Sequence, residues 1–301
     1  MTSPQQLFFN NLAYFVQKPM LRYVTDQRVL RWMVDVQARN AYPRPPGVVD
    51  EVRILGPGLK GRWVAPEDGH HGVVLYLHGG AYTIGSSITH RWLAARIAMG
   101  CGAAALVPDY RLSPEHKFPA ALDDAVASYR YLLEQGHDPA HVAVSGDSAG
   151  GNLTLALMQR LSEENLPKPA ALALLSPLTD MTFESPSIAR NRDRDLLVPV
   201  EWGVRARKLY ADDQTPEDPL LSPLFADLSD MPPTVIHVAD NEVLLADSTR
   251  LADALEGAGR EVELEIFSDV PHCWQIKAGL SPEADRSVAG LAAFLERHIG
   301  P

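Results

Sequence analysis

Residues 141–157 read HVAVSGDSAGGNLTLAL. Apolar residues up to Val144 suit a buried strand. Gly146-Asp147-Ser148-Ala149-Gly150 then turns the chain, and a helix-like stretch follows. A strand that passes through G-x-S-x-G into a helix sets a serine on a tight, strained turn, with its hydroxyl clear of the sheet edge. Neighbouring backbone crowds the flanking positions, so Gly146 and Gly150 carry no side chain there. The N–H groups after the serine belong to a helix N-terminus, which favours negative charge. Ser148 is therefore a candidate nucleophile. A glycine-rich connection with an N-capping serine would explain the same turn without chemistry.

Working outward, short apolar runs recur on both sides: EVRIL, GRWVA, VVLYL, AAALV, HVAVS, ALALL, TVIHVA and EVELEIF. Amphipathic stretches separate most of the later ones, among them THRWLAARIAM, AGGNLTLALMQRLSEE and PEADRSVAGLAAFLERH. Strands alternating with helices predict a mainly parallel sheet covered on both faces. No helix separates the first two runs, so they read as an antiparallel edge. Residues 5–41 read as helical, and YPRPPG at 42–47 breaks the chain, since proline cannot continue a helix. The expected division is an N-terminal helical cap segment at 1–45 and a catalytic domain at 46–301. Residues 178–225 far exceed one crossover and are expected to contribute to the cap. Within them, RNRDRDLL at 190–197 reads as a solvated, mixed-charge surface.

A net charge of −11 argues against nucleic acid as a partner, because neutralising phosphate needs clustered Lys and Arg. With 46% hydrophobic and 22% charged residues, a core of normal size is available to the 301-residue chain. The two cysteines, Cys101 and Cys273, form neither a disulfide framework nor a zinc pattern, and His70-His71 lacks partner ligands at metal spacing. No metal and no organic cofactor is expected. The first residues lack a basic region followed by a clean apolar stretch, and no apolar run nears the ~18 residues that span a bilayer. The expectation is a cytoplasmic protein without a membrane partner.

A nucleophile of this kind needs N–H donors for the negative charge that develops on a substrate carbonyl oxygen. Ala149, just after the serine, offers one. The HGGA stretch at 78–81, following the strand VVLYL, offers Gly79 and Gly80, whose bare backbone can approach a substrate. His78 then reads as an anchor of that loop. Three motifs together, HGGAY (78–82), DYRLSPEHKFPAALDD (109–124) and GDSAGGN (146–152), with DPLLSPL (218–224), resemble the hormone-sensitive-lipase-like (bacterial family IV) carboxylesterases of the α/β-hydrolase superfamily. The resemblance runs in order over residues ~50 to 300. It departs from the family where Ala81 replaces a frequent third glycine and Ser113 a frequent alanine.

The resemblance implies an α/β-hydrolase fold, with an eight-stranded, mostly parallel twisted sheet, helices on both faces and a small helical cap. It implies hydrolysis of short- to medium-chain acyl esters through a Ser-acid-His triad. DYRLSPEHKFPA should brace the elbow, with cis peptides at Ser113-Pro114 and Phe118-Pro119. The triad order Ser, acid, His singles out His272, on a loop after the last strand, from ten histidines. His237 reads as packed and His298 as exposed. For the acid, ADNEVLLADS offers Asp240, Glu242 and Asp247. Asp240 ends the strand, Asp247 suits the following helix, and matching EVLLAD to the family pattern favours Glu242, 30 residues before His272. A Glu can serve, since the acid orients and stabilises the imidazolium. Phe8, Phe9, Tyr14 and Phe15 either line the pocket or pack the helices. The edge strand at 261–267 offers pairing in a homodimer, which the resemblance also implies. The alternatives are a non-catalytic small-ligand receptor of this fold, and an amidase.

Overall fold

The structure, a computed structural model, describes residues 2–301. Eight strands form one sheet in the order β1-β2-β4-β3-β5-β6-β7-β8. They are β1 Val48–Gly56, β2 Leu59–Pro66, β3 Gly72–Leu77, β4 Ala103–Pro108, β5 Val142–Asp147, β6 Ala171–Leu175, β7 Thr234–Ala239 and β8 Val262–Phe267. β1 pairs antiparallel with β2, and β2 with β4; all other pairs are parallel. Every residue of β3 through β7 is buried, because helices cover both faces.

Period-two alternation splits the core into two layers. Leu75, Val144, Leu174 and Ile236 point to one face, where they meet Leu122, Leu153 and Leu251. Those three come from α5 (Ala120–Glu134), α6 (Ala149–Glu163) and α9 (Leu245–Gly257). Val74, Tyr76, Ala143 and Val235 point to the other face, against Leu93 of α4 (Ser87–Gly100) and Leu291 of α10 (Pro282–Ile299). The small Ala residues of β4, β5 and β6 in this layer let α4 and α10 approach closely.

The N-terminal segment is α1 (Pro4–Leu12), a π-helical turn (Ala13–Gln17), α2 (Lys18–Tyr23) and α3 (Gln27–Ala41). Ser3 caps α1 and ties it to the start of α10, its N–H and hydroxyl donating to the Glu283 carboxylate at 2.6 and 2.7 Å. Asp26 caps α3. The long connection after β6 carries α7 (Pro186–Arg190) and α8 (Val200–Ala211). Arg205 of α8 donates to the Leu21 carbonyl at 2.8 Å, so this connection and α2 hold each other. Arg31 of α3 donates to the carbonyls of Thr83 and Ser113 and pairs with both Glu115 oxygens, at 2.7–3.0 Å. Both peptides preceding Pro114 and Pro119 are cis. No helix among the described residues is long and apolar enough to cross a membrane.

The turn from β5 to α6 admits no side chains. A Cβ on Gly150 would lie 1.9 Å from the Leu77 carbonyl oxygen, and one on Gly146 would lie 2.3 Å from the Gly150 carbonyl oxygen. Gly150→Ala should therefore destabilise by roughly 3 kcal/mol or more, since backbone must move. Gly257→Ala is the control: nothing lies within 4 Å, its φ is not positive, and it sits in a helix. It should be neutral or stabilising by up to about 1 kcal/mol. Urea midpoints of the two variants check both expectations.

Candidate active site

Ser148 follows the last residue of β5 with φ +54° and ψ −117°, a conformation that L-residues rarely adopt. Backbone bonds hold it there. Its N–H donates to the Leu175 carbonyl at 2.8 Å, and its carbonyl accepts from Asn152 and Leu178 at 3.1 Å. The hydroxyl itself makes no hydrogen bond among the described residues, although Ser148 lines a cavity together with His272.

Gly80 and Ala149 each present an N–H without a protein acceptor among the described residues. Gly79 differs from the expectation. Its N–H donates to Asp147 Oδ1 at 2.9 Å, so it locks the loop and is not free for a ligand. The cause is a buried network: Tyr76 donates to the same oxygen at 2.9 Å, and His90 Nε2 lies 3.4 Å from Oδ2. Burial alone would raise the Asp147 carboxyl, but His90, Tyr76 and the Gly79 N–H bring it down to about 2. His78 is the anchor expected of it. It stacks on Tyr110 at 4.2 Å, Tyr110 donates to its carbonyl at 2.6 Å, and burial depresses its pKa to about 4. The motifs meet behind the elbow: Tyr82 donates to Asn152, and Asn152 donates to the Leu221 carbonyl, at 2.6 and 2.8 Å.

Of the three acid candidates, Glu242 is the one that reaches His272, its Oε2 lying 2.5 Å from Nδ1. Its other oxygen accepts from the Ser176 hydroxyl at 2.6 Å and from the Ala239 N–H at 2.8 Å. Asp240 follows β7, in the turn, with its carboxylate free of partners among the described residues. Asp247 is fully buried and accepts from the Thr179 and Asp180 N–H groups and the Ser185 hydroxyl. Burial raises its carboxyl to about 6. His237 is packed as expected, donating or accepting at Ser287. His298 is half-buried against Glu261 and Phe294, not exposed as its place in the last helix implied.

Sequence reasoning missed the supports of the acid. RNRDRD is no solvated surface throughout: Asn191 and Asp195 are fully buried. Asn191 donates to the Glu242 carbonyl at 2.7 Å. Asp195 accepts from the N–H groups of Leu197 and Val198 through one oxygen and from Val243 through the other, at 2.8–2.9 Å. Its carbonyl accepts from Lys18, so α2 reaches the same knot. Mixed charge hides these two residues, because only tertiary contact separates the buried members from the solvated ones.

Two apolar cavities meet at Ser148 and His272. The larger, about 160 Å³, lies under the N-terminal helices, with Phe9, Met20, Leu21 and Val34 in its wall. Of the four N-terminal aromatics only Phe9 lines it; Phe8, Tyr14 and Phe15 are exposed. The smaller, about 40 Å³, lies between Met181, Phe183, Trp202 and Tyr210.

Burial pushes the His272 imidazolium pKa down, but Glu242, with Asp195 and Asp147 behind it, more than offsets this, and the net displacement is upward. Replacing Glu242 by Gln removes the largest opposing charge. The His272 ring in Glu242→Gln should therefore titrate at lower pH than in wild type, as read by NMR of the imidazole nitrogens. An unchanged titration would mean that the pair does not form in solution.

The profile of the family described as alpha/beta hydrolase fold matches residues 74–276. An acetyl-hydrolase of Streptomyces hygroscopicus is 39% identical over 238 residues, covering 79% of this chain and 80% of its own. An esterase of Acinetobacter venetianus is 35% identical, covering 88% of this chain and 87% of its own. Among solved structures, an esterase from the bacterial hormone-sensitive lipase family superposes with a TM-score of 0.93 at 34% identity, over 100% of both chains. With fold, elbow and matches in agreement, this chain belongs to the alpha/beta hydrolase family, among the bacterial esterases related to hormone-sensitive lipase.

Proposed function

We propose that this protein hydrolyses short- to medium-chain carboxylic esters through Ser148, His272 and Glu242. The observation that carries this reading is the convergence of a strained serine, its hydroxyl free, and a carboxylate-braced histidine on one mostly apolar cavity. His272, its Nδ1 proton held by Glu242, takes the Ser148 proton through Nε2 as the hydroxyl attacks the ester carbonyl. Cys273 Sγ stands 3.3 Å from Nε2, and burial holds its thiol well above the ordinary value, so it is no rival nucleophile. The Gly80 and Ala149 N–H groups receive the oxyanion, while Gly79 keeps their loop in place. His272 then protonates the leaving alkoxide, and water resolves the acyl-enzyme by the reverse sequence of transfers. Resting structures commonly hold such serine–histidine pairs apart until substrate arrives.

The N-terminal helices and the α7–α8 connection serve as the cap, since both line the cavities over Ser148. A second copy pairing along the exposed edge of β8 would make the homodimer.

Ser148→Ala should lose at least roughly 10³-fold in kcat on p-nitrophenyl butyrate, because the covalent route disappears. Glu242→Ala should lose far more activity than Asp240→Ala; the reverse order would transfer the acid's role to Asp240. An apolar cavity near 150 Å³ accommodates a benzene. Turnover should thus peak at acyl chains of about six carbons or fewer, and a maximum at palmitate would refute this substrate range. The base must be neutral to act. Since the His272 pKa is raised above 6.5, kcat/KM should fall with decreasing pH along a limb centred above 6.5, and this limb should move to lower pH in Asp195→Asn.

A further inference from the structure

Lys277 ends the helical turn Trp274–Lys277, five residues after His272, and lines the larger cavity with it and Ser148. Only 6% of the residue is exposed. The ammonium donates to the Tyr42 hydroxyl at 3.0 Å and lies over the rings of Tyr42 and Phe9, at 4.5 and 5.5 Å from their centroids. Among the described residues no carboxylate comes within the 4.0 Å of an ion pair. The carboxylates nearest the reacting groups are engaged: Asp147 by Tyr76 and Gly79, Glu242 by Ser176, Ala239 and His272.

A buried ammonium is costly without an anion, and aromatic faces repay part of that cost. One N–H has the Tyr42 oxygen, leaving two without an acceptor among the described residues, in a wall that is mostly apolar although Gln17, Gln37 and Asp147 also line it. The segment that roofs the cavity is also locally basic. Residues 2–41 hold five Lys and Arg against two Asp, within a chain of net charge −11.

We propose that Lys277 binds a carboxylate carried by the substrate at the end remote from the ester, so that the natural substrates are short esters with a terminal carboxylate. This rests on the ester-hydrolase reading and specifies its substrate class. The carboxylate belongs to the acid part in monoesters of short dicarboxylic acids, or to the alcohol part in acyl esters of short hydroxy acids. Both present the same anion to Lys277 at a distance of a few carbons from the carbonyl.

Two matched pairs separate these sources: monoethyl glutarate against ethyl 5-methylhexanoate, and 4-acetoxybutanoate against 4-methylpentyl acetate. In each the carboxylate is exchanged for an isopropyl group of similar shape. In wild type at pH 7, kcat/KM for at least one charged ester should exceed that of its neutral partner by about tenfold or more, the range of a charge-assisted hydrogen bond. The ratio should collapse in Lys277→Met and be partly kept in Lys277→Arg. Charged-to-neutral ratios at or below one in wild type, or ratios that Lys277→Met leaves unchanged, would overturn the proposal. The wild-type ratios decide even if Lys277→Met fails to fold. Turnover of p-nitrophenyl butyrate in the same assay separates the two readings: its presence with unfavourable ratios rejects the carboxylate site alone, whereas its absence rejects ester hydrolysis and the site together.

Discussion

Three stretches of backbone meet at van der Waals distance where β5 gives way to α6, and the arrangement of the site follows from that contact. The Leu77 carbonyl at the end of β3 occupies the space a side chain on Gly150 would need. The loop that bears Gly79 and Gly80 therefore starts hard against the first turn of α6, and the Asp147 side chain fixes it there through the Gly79 N–H. The same crowding holds Ser148 at positive φ. Its strain is sustained by the bonds to Leu175 of β6, Asn152 of α6 and Leu178 just beyond β6, and both elements bury their apolar faces in the core.

Around this contact the protein has buried an unusual set of carboxylates, and each has donors assigned to it. Asp147 holds the loop of Gly79 and Gly80, Asp195 and Asn191 hold the turn of Glu242, Asp247 holds the start of the long connection, and Glu242 holds His272. Buried charge is tolerable when every lone pair is used, and such networks rigidify what they touch. Of these, Glu242, Asp195 and Asp147 together favour the charged form of His272, against the burial that opposes it.

Local residues made much of this legible in advance. Ser148 lies in a motif whose glycines are explained by sterics, β3 through β7 read as short apolar runs because both faces are covered, and His272 follows the last strand. Legibility ended where the deciding contacts are distant in sequence. Asp240 and Glu242 differ by two residues in one turn, and only the position of the His272 loop, set by α10 packing, separates them. Gly79 read as a free donor because Asp147, one residue before the serine, gives no sign in sequence that it turns inward to Tyr76, His90 and the loop. Asn191, Asp195 and Lys277 follow no periodicity at all. They stand out only once burial is known, since polar residues in irregular segments are ordinarily solvated.

Arg31 gives the roof of the cavity a different significance. Its guanidinium makes four hydrogen bonds, and one acceptor, the Thr83 carbonyl, belongs to the loop that bears Gly80. A displacement of α3 wide enough to admit a bulky molecule must either break this fork or drag the loop with it. At this point the roof of the cavity and the loop that bears Gly80 are joined through a single side chain, so strain applied to either is felt by the other.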